Sequence, residues 1–335
     1  MGDMGGANVV RLLYPELIKM GLSVQIIADG GDKAKAHLVL EKAGLSFERQ
    51  TANSASKIFG EGICQVTPKF LDAIRAAGII FVTPCVTAFR AGLAAANYGK
   101  EYGRIVVLGP GLDFDHAYPY WRDALVDYVI ANSSFQQSSI LALRKYLAPE
   151  QVLILGNPIF DSIPGLVIRH SEIRTKVRQT LGLEENEKML LYWSPADRED
   201  LCEASFKALI IGLNGLARCH SNLVLCLRLH PKLDVSIRPG YYREKETLIK
   251  GTCTALGIRL IADAGEIAAE ELNFAADLVI AERATQAIMA AMCGIPTAFI
   301  LLTPHRKFFE EVLSQKFPYL DVLEEGVATG IYKED

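Results

Sequence analysis

The chain has 335 residues, of which 50% are apolar and 22% are charged, and its formal net charge is −4. A chain of this length exceeds what one hydrophobic core usually organises, so we expect two domains. The slightly negative charge and the lack of a basic run exclude the electrostatic footprint of a nucleic-acid-binding protein.

The first eight residues, MGDMGGAN, include Gly5, Gly6 and Asn8. We expect a glycine-rich turn here, followed by an amphipathic helix over residues 9–20. Such a turn normally follows a strand, and the sequence has none before it. The first strand of the N-terminal domain is therefore expected to be missing, because the recorded start lies inside the natural domain or because this chain lacks that strand. A signal peptide is not indicated, since a charged start and an apolar core are both lacking.

Strands and helices then alternate as far as residue 155. The expected strands are 22–28, 78–83, 104–108, 128–132 and 152–155, and the expected helices are 33–43, 68–77, 87–98 and 133–146. This alternation predicts a parallel, doubly wound sheet.

Asn-Pro after a glycine at residues 156–158 is a strong loop signal, and we place the domain junction there. The predicted domains are 1–157 and 158–317, with 318–335 as a tail that crosses back to the first domain. The second domain is expected to contain strands 189–193, 222–229, 259–262, 278–281 and 297–302, with helices 171–181, 202–219, 241–256, 267–275 and 286–292. The predicted fold is α/β, with two doubly wound Rossmann-like domains that face a cleft, where ligand pockets are common.

Residues 273–304 are predicted to form one strand–loop–helix–turn–strand unit of a parallel crossover. Thr285 is expected to cap the helix over residues 286–292. The loop before this helix lies where open parallel sheets bind ligands, and it carries Glu282, Arg283, Thr285 and Gln286. The alternative is a capped helix with two solvated charges.

A second loop follows a strand at residues 192–200 and places Arg198 near the start of a helix. A guanidinium beside free backbone N–H groups can hold a phosphate. The alternative is that Asp197, Glu199 and Asp200 cap the helix and pair with Arg198 at the surface.

A third loop carries Arg228, His230 and Lys232 at the end of strand 222–229. Arg228 within an apolar run is costly unless it has an anionic partner, which is either a ligand or a carboxylate of the chain. His230 adds a titratable group and Lys232 a second cation. With Arg198, these cations suit a diphosphate, while the carboxylate of Glu282 suits the hydroxyls of a ribose or sugar.

The densest polar cluster of the first half is Asp113, Asp115 and His116, which follows strand 104–108 and a Gly-Pro-Gly break. His116 is our candidate general base, with Asp115 as the carboxylate that orients it. The alternative is a surface loop whose aspartates cap a short helix over residues 117–121.

The seven cysteines are scattered and form no CxxC pair. They indicate buried thiols in a reducing cytoplasm rather than a disulfide framework or a zinc site. No segment reaches the apolar length of a membrane span, and peripheral association with a membrane surface stays open. We therefore expect a cytoplasmic protein, whose oligomeric state the sequence does not indicate.

Several short motifs resemble those of the glycosyltransferase B-type superfamily, above all its UDP-N-acetylglucosamine 2-epimerases and CDP-glycerol glycerophosphotransferases. Residues 192–200 resemble the Tyr-x-Pro-Thr-x-Arg-Asp signature of the latter, with Pro195 and Arg198 retained and the spacing changed. They also resemble the His-Arg-x-Glu-Asn loop of the epimerases. His230-Pro231 matches the His-Pro of both families, residues 156–158 match the Gly-Asn-Pro joint between their domains, and residues 5–8 resemble the superfamily's glycine loop.

One position departs from the superfamily pattern. Its sugar-nucleotide enzymes carry a glutamate that grips the ribose ahead of Ala-x-x-x-Gly-x-Pro, and this chain has Met289 there. A thioether is a poor hydrogen-bond acceptor. Either Glu282 takes over that contact, or the donor differs from a common UDP-sugar, or the nucleotide site has been lost.

The resemblance implies a metal-independent transferase without a cofactor. Its substrates would be a nucleotide-activated sugar or polyol phosphate, UDP- or CDP-linked, and a sugar or lipid-linked acceptor in surface polysaccharide biosynthesis. The resemblance also implies that His116, or another N-domain acid or base, deprotonates the acceptor. The alternatives are a UDP-sugar 2-epimerase or hydrolase and a non-catalytic sugar-nucleotide-binding protein.

Overall fold

The computed structural model describes residues 4–29, 35–50, 66–84, 90–111, 121, 124–195, 198–230, 233–262, 264, 267–282, 284–312, 323 and 326–332. The chain divides into two compact units. Unit 1 comprises Met1–Asp161 and Val312–Gln315, and unit 2 comprises Ser162–Glu311 and Lys316–Asp335.

Unit 1 is an α/β unit with two parallel sheets. Its helices are α1 (Met4–Lys19), α2 (Ala36–Lys42), α3 (Pro68–Ala76), α4 (Arg90–Glu101) and α5 (Ser134–Leu143), with short 3₁₀ turns at Pro149–Gln151 and Pro158–Phe160. Its strands are β1 (Ile27–Asp29), β2 (Glu48–Gln50), β3 (Ile79–Val82), β4 (Ile105–Leu108), β5 (Tyr128–Ala131) and β6 (Val152–Ile154). β1 pairs with β2, and the other four follow the order β3-β4-β5-β6, all parallel. The predicted parallel sheet is confirmed.

The glycine-rich turn predicted at residues 5–8 is wrong, because these residues lie in the first turns of α1. Ala7 is fully buried, and it packs with Val10 and Tyr14 against one apolar cluster. Residues 7, 10 and 14 have the spacing of one helix face, so burial of this face extends the helix towards its N-terminus. Gly5, Gly6 and Asn8 are therefore helical positions.

β2 is a strand that the sequence pattern does not predict, and its residues are Glu48, Arg49 and Gln50. A polar strand carries no hydrophobic periodicity, so the pattern could not predict it. The structure stabilises it by other means, since the buried Gln50 side chain accepts a hydrogen bond from Thr67 Oγ1 at 2.8 Å. Thr67 also caps α3.

Unit 2 is built on one six-stranded sheet. Its helices are α6 (Ile163–Ile168), α7 (His170–Thr180), α8 (Glu199–Cys219), α9 (Leu233–Ser236), α10 (Tyr241–Leu256), α11 (Ala269–Ala275), α12 (Thr285–Met292) and α13 (Thr303–Lys307), which continues into a π-helical turn, Phe308–Val312. Its strands are β7 (Lys188–Trp193), β8 (Leu223–Arg228), β9 (Arg259–Ile261), β10 (Leu278–Ala281), β11 (Thr297–Ile300) and β12 (Thr329–Ile331). The strand order is β12-β11-β10-β7-β8-β9, again all parallel.

The crossover predicted over residues 273–304 is confirmed, since β10 and β11 are parallel neighbours joined by α12. Gly294 follows α12 with a φ of 75°, a left-handed conformation that glycine adopts without strain. The predicted cap is wrong, because Thr285 is the first residue of α12 and Ala284 occupies the capping position without a side-chain bond.

The tail differs from its expected course. Its described strand, β12, extends the unit 2 sheet by pairing in parallel with β11. Backbone hydrogen bonding to an open strand edge thus holds residues 329–331 in unit 2.

No helix within the described ranges has both the length and the apolar character needed to cross a membrane. Among the described cysteines, Cys202, Cys226 and Cys253 are buried as expected, whereas Cys219 is exposed at the end of α8. Burial raises the pKa of the Cys226 thiol to about 12 and that of the Cys253 thiol to about 11.

A close approach of α4 to the unit 1 sheet leads to a first prediction. A Cβ at Gly99 would lie 2.6 Å from Ile80 Cδ1 and 2.9 Å from Val106 Cγ2, both in the core. We expect Gly99→Ala to lower the free energy of unfolding by about 1–3 kcal/mol, because overpacking outweighs the gain in helix propensity. Urea denaturation followed by circular dichroism measures the change.

The matched control is Gly251→Ala on the exposed side of α10, where a Cβ would meet no atom within 4 Å. Helix propensity alone acts there, so this variant should gain about 0.5–1 kcal/mol. Equal stabilisation by the two substitutions would contradict the packing of α4.

Candidate functional site

The carboxyl ends of three neighbouring strands lie side by side in unit 2. In the register of the sheet, Trp193 at the end of β7 pairs with Arg228 at the end of β8 and with Ala281 at the end of β10. The loops that start after these residues therefore leave the sheet at one edge. This confirms the predicted convergence of the three loops, and it is the edge at which open parallel sheets bind ligands.

The strands themselves leave no room for charge before this edge. Within β7 all residues from Met189 to Tyr192 are buried, and within β8 all residues from Leu223 to Leu227 are buried. A polar side chain inside such a run would lose its hydration without gaining a partner. Charged groups can therefore collect only where the strands end.

Arg228 is half-buried, and its guanidinium carbon lies 5.7 Å from the centre of the Trp193 ring. This is a cation–π distance. No carboxylate of the described residues lies within 4.0 Å of its guanidinium nitrogens. Within the part of the chain that the structure describes, the carboxylate partner allowed as one alternative is thus absent, and the guanidinium lies beside an indole ring instead.

Ser194 connects the loops after β7 and β8. Its backbone N–H donates to Arg228 O at 3.0 Å, and its Oγ accepts from the backbone N–H of His230 at 2.7 Å. Ser194 is buried, whereas His230 is half-buried. The serine therefore fixes the course of the chain that carries His230.

Arg198 is the residue before the first turn of α8, and about half of its side chain is exposed. Its Nε and Nη2 donate to the two carboxylate oxygens of Asp200 at 3.0 and 2.7 Å. This hydrogen bonding lowers the pKa of Asp200 below its ordinary value. The arrangement is the surface pair that the sequence allowed as the alternative to a phosphate contact.

Thr285 and Gln286 lie half-buried in the first turn of α12. The Gln286 backbone carbonyl accepts a hydrogen bond from Asn273 Nδ2 at 2.8 Å. The same Asn273 accepts from the Trp193 indole N–H through Oδ1 at 3.0 Å. A side chain of α11 thus joins the last residue of β7 to the first turn of α12.

Glu282 follows β10 and is fully buried, so its carboxylate does not reach the surface of the edge. Its Oε2 lies 3.5 Å from Ser205 Oγ and 3.7 Å from His305 Nε2, and these two atoms lie 3.1 Å apart. His305 Nδ1 accepts from the backbone N–H of Leu302 at 3.0 Å. The proton of the neutral imidazole is therefore on Nε2, where it can bond to Ser205.

This buried network is not a hydrolase triad. In such a triad the acid bonds to Nδ1 of the histidine, and here Nδ1 is occupied by the backbone of Leu302. Ser205 and His305 are fully buried as well. The network instead ties the end of β10 to α8 and α13.

Two neighbours of Glu282, Tyr192 and Cys202, have raised pKa values. Burial, with the nearby Glu282 carboxylate as the next cause, raises the pKa of the Tyr192 hydroxyl well above its ordinary value and also raises that of the Cys202 thiol. Both groups therefore stay protonated and are not nucleophiles.

Four predicted site residues lie outside the described residues, namely Asp115, His116, Lys232 and Arg283. Gly5, Gly6 and Asn8 lie in α1 of unit 1, where Asn8 Oδ1 accepts a hydrogen bond from Arg11 Nε at 3.4 Å. Sequence reasoning missed Trp193, Ser194 and Asn273. The aromatic residue at a strand end was a usable signal for Trp193, whereas Asn273 could not be linked to it, because 80 positions separate the two.

No protein-family model and no curated protein sequence matches the chain. Solved structures do match it. A candidate UDP-N-acetylglucosamine 2-epimerase from Listeria monocytogenes has a TM-score of 0.62 and 15% identity, covering 89% of this chain and 77% of that one. The UDP-GlcNAc 2-epimerase of Methanocaldococcus jannaschii, in complex with UDP-GlcNAc and UDP, has a TM-score of 0.60 and 15% identity, covering 98% and 86%.

The wall teichoic acid polymerase TagF, soaked with CDPG, has a TM-score of 0.50 and 16% identity, covering 97% of this chain and 73% of its own. These proteins have the fold that the motifs suggested. The chain therefore has the glycosyltransferase B-type fold, and at such low identity the likeness establishes the fold alone.

The buried network leads to a second prediction. We expect Glu282→Ala to lower the free energy of unfolding by about 1–3 kcal/mol, because it leaves the buried Ser205 hydroxyl without its carboxylate acceptor. Glu282→Gln should cost less, since its amide oxygen still accepts from Ser205. Thermal and urea unfolding measure both variants. If Glu282→Gln instead weakens nucleotide binding at unchanged stability, Glu282 contacts the ligand as the sequence first suggested.

Proposed function

We propose that this protein is a metal-independent transferase that uses a nucleotide-activated sugar or polyol phosphate in surface polysaccharide biosynthesis. The donor would bind at the carboxyl edge of β10, β7 and β8 in unit 2. Proteins with the same fold include one in complex with UDP-GlcNAc and one soaked with CDPG. Those ligands support a nucleoside diphosphate as the group that the edge receives.

The observation that carries the proposal is the half-buried Arg228 at the end of β8, which has no described carboxylate partner. A guanidinium in this position has lost part of its hydration and gains most from an anion. Its planar donors match a phosphate in a two-point contact. Arg228 is therefore our first contact for the donor's diphosphate.

The surroundings of Arg228 favour an anion as well. The 21-residue helix α8 begins after the loop that follows β7, and the positive end of its dipole attracts negative charge. His230 follows Arg228 by two residues, and Arg198 precedes α8. Lys232 belongs to the same proposed set on sequence grounds.

The proposed reaction is a direct displacement. The acceptor hydroxyl oxygen attacks the sugar carbon or the polyol-bearing phosphorus, the bond to the nucleotide phosphate oxygen breaks, and the nucleotide leaves with the electron pair. Arg228 and Arg198 offset the negative charge that develops on the leaving phosphate. His116, oriented by Asp115, takes the hydroxyl proton. These two residues remain sequence-based proposals.

Two other functions compete with the transferase. A UDP-sugar 2-epimerase or hydrolase is favoured by the likeness to epimerases. A non-catalytic sugar-nucleotide-binding protein is favoured by Met289, which is only 5% exposed within α12 and offers no hydrogen bond to a ribose. Product analysis separates the three. Transfer requires an acceptor, epimerisation changes the sugar without one, and a binding protein leaves the donor intact.

The third prediction concerns the nucleotide. In a thermal-shift panel of UDP, CDP, GDP, dTDP and their sugar conjugates, one base should stabilise the fold by roughly 2.7 kcal/mol at a hundred times its Kd. Arg228→Ala should weaken that affinity by about ten- to a hundredfold, because charge-assisted hydrogen bonds contribute about 1.5–3 kcal/mol. Calorimetric titration measures the loss.

The control is Arg243→Ala on the exposed side of α10, which removes the same charge elsewhere in unit 2. It should leave the affinity unchanged. If no nucleotide in the panel raises the Tm of a folded sample, the proposed function is overturned. If both variants lose the same nucleotide affinity, Arg228 contributes only its net charge.

The fourth prediction concerns the Arg198–Asp200 pair. If Arg198 turns to the diphosphate, Asp200 competes with the ligand for the same guanidinium. Asp200→Ala should then tighten binding by up to about fivefold, since exposed ion pairs contribute about 0.2–1 kcal/mol. The gain should vanish when Arg198→Ala is added. Weaker binding in Asp200→Ala alone would mean that the carboxylate orients Arg198 instead.

A further inference from the structure

Asn273 is a buried amide that the sequence did not single out. It lies on α11, and its residue exposure is 1%. A buried side-chain amide destabilises the fold unless its oxygen and its nitrogen both find partners. Both do so here, and both partners belong to the edge described above.

The two hydrogen bonds determine which way the amide faces. The Trp193 indole N–H can only donate, so the amide oxygen must face it, at 3.0 Å. The amide nitrogen then donates to the Gln286 carbonyl at 2.8 Å, with Gln286 Oε1 at 3.5 Å. An aspartate would place an acceptor against that carbonyl. The site therefore distinguishes asparagine from its acid.

Trp193 links Asn273 to Arg228, because its indole contacts both residues. The indole has a single polar atom, and its hydrogen bond to Asn273 fixes the rotation of the ring about its side-chain bonds. Arg228, its neighbour in the sheet register, lies with its guanidinium carbon 5.7 Å from the ring centre. A ring that turned away would leave this guanidinium without its aromatic support.

We infer that Asn273 is the positioning residue of the edge: it holds the Trp193 indole beside Arg228 and ties it to the first turn of α12. The inference rests on the proposed function, because it assigns Asn273 to the site that receives the diphosphate. Asn273 acts through Trp193 and Gln286 and is not itself a ligand contact. The orientation of the Trp193 ring then sets the position of the Arg228 guanidinium.

The fifth prediction tests this assignment with two variants. Asn273→Leu removes both hydrogen bonds and should weaken binding of the nucleotide found in the panel by about tenfold, the loss expected when one charged contact is displaced. Asn273→Asp keeps the acceptor for the indole but sets a second acceptor against the Gln286 carbonyl, so it should weaken binding as well. Calorimetric titration gives the affinities.

A spectroscopic readout separates positioning from general loss of stability. The chain has two tryptophans, so 5-fluorotryptophan labelling gives two fluorine resonances, and Trp193→Phe assigns them. Asn273→Leu should shift or broaden the Trp193 resonance without ligand. The control Leu213→Ala lies in the core of the same unit, roughly 20 Å along α8 from its start, and should lower Tm with neither effect.

The outcomes are distinguishable. A wild-type protein that binds no member of the panel overturns the proposed function and this inference together. Nucleotide binding that Asn273→Leu leaves unchanged overturns the inference alone, and so does a Trp193 resonance that this variant does not move. If Leu213→Ala weakens binding equally, Asn273 is a structural residue only.

Discussion

The parallel pairing of β7 with β8 and β10 decides where charge can lie in unit 2. All three strands are apolar and buried along most of their length, so any charge within them would be costly. Because the strands run in the same direction and end in register, their polar ends meet at one edge. The convergence of the three loops is thus a consequence of sheet register.

A second constraint comes from beneath this edge. Glu282 continues β10, Ser205 belongs to α8 and His305 to α13, and their contact joins three elements through atoms that water does not reach. Asn273 does the same for Trp193 and α12. Buried side-chain contacts therefore join the elements beneath the exposed or half-buried cations. These contacts limit how far the loops can move apart.

The sequence predicted the fold wherever hydrophobic pattern determines structure. The parallel sheets and the crossover between β10 and β11 follow from apolar runs bounded by glycine and proline. The prediction was wrong in two places. The polar strand β2 was not predicted, and the glycines predicted as a turn lie in α1, where Ala7 is buried. Hydrophobic periodicity contains no information about β2, whereas the helical spacing of Ala7, Val10 and Tyr14 was a usable signal for α1.

For the site, the sequence predicted the convergence of the loops but not the partners within it. The sequence suggested that Glu282 could contact a ligand. Nothing near it in the sequence indicates that Ser205, 77 positions before it, and His305, 23 positions after it, pack against its carboxylate. For Arg228 the sequence left a ligand or a carboxylate of the chain open as the anionic partner, and it did not indicate the indole of Trp193 that lies beside the guanidinium. Long-range contacts of this kind depend on packing, which single-sequence patterns do not encode.

The burial of Met289 also limits which residues this position accepts. The side chain is buried on α12, where a glutamate would lose its hydration with an energetic cost of several kcal/mol. An acidic residue here would need a compensating donor nearby, so the packing favours an apolar side chain. Under the proposed function, hydrogen bonds to a ribose would therefore have to come from another part of the edge.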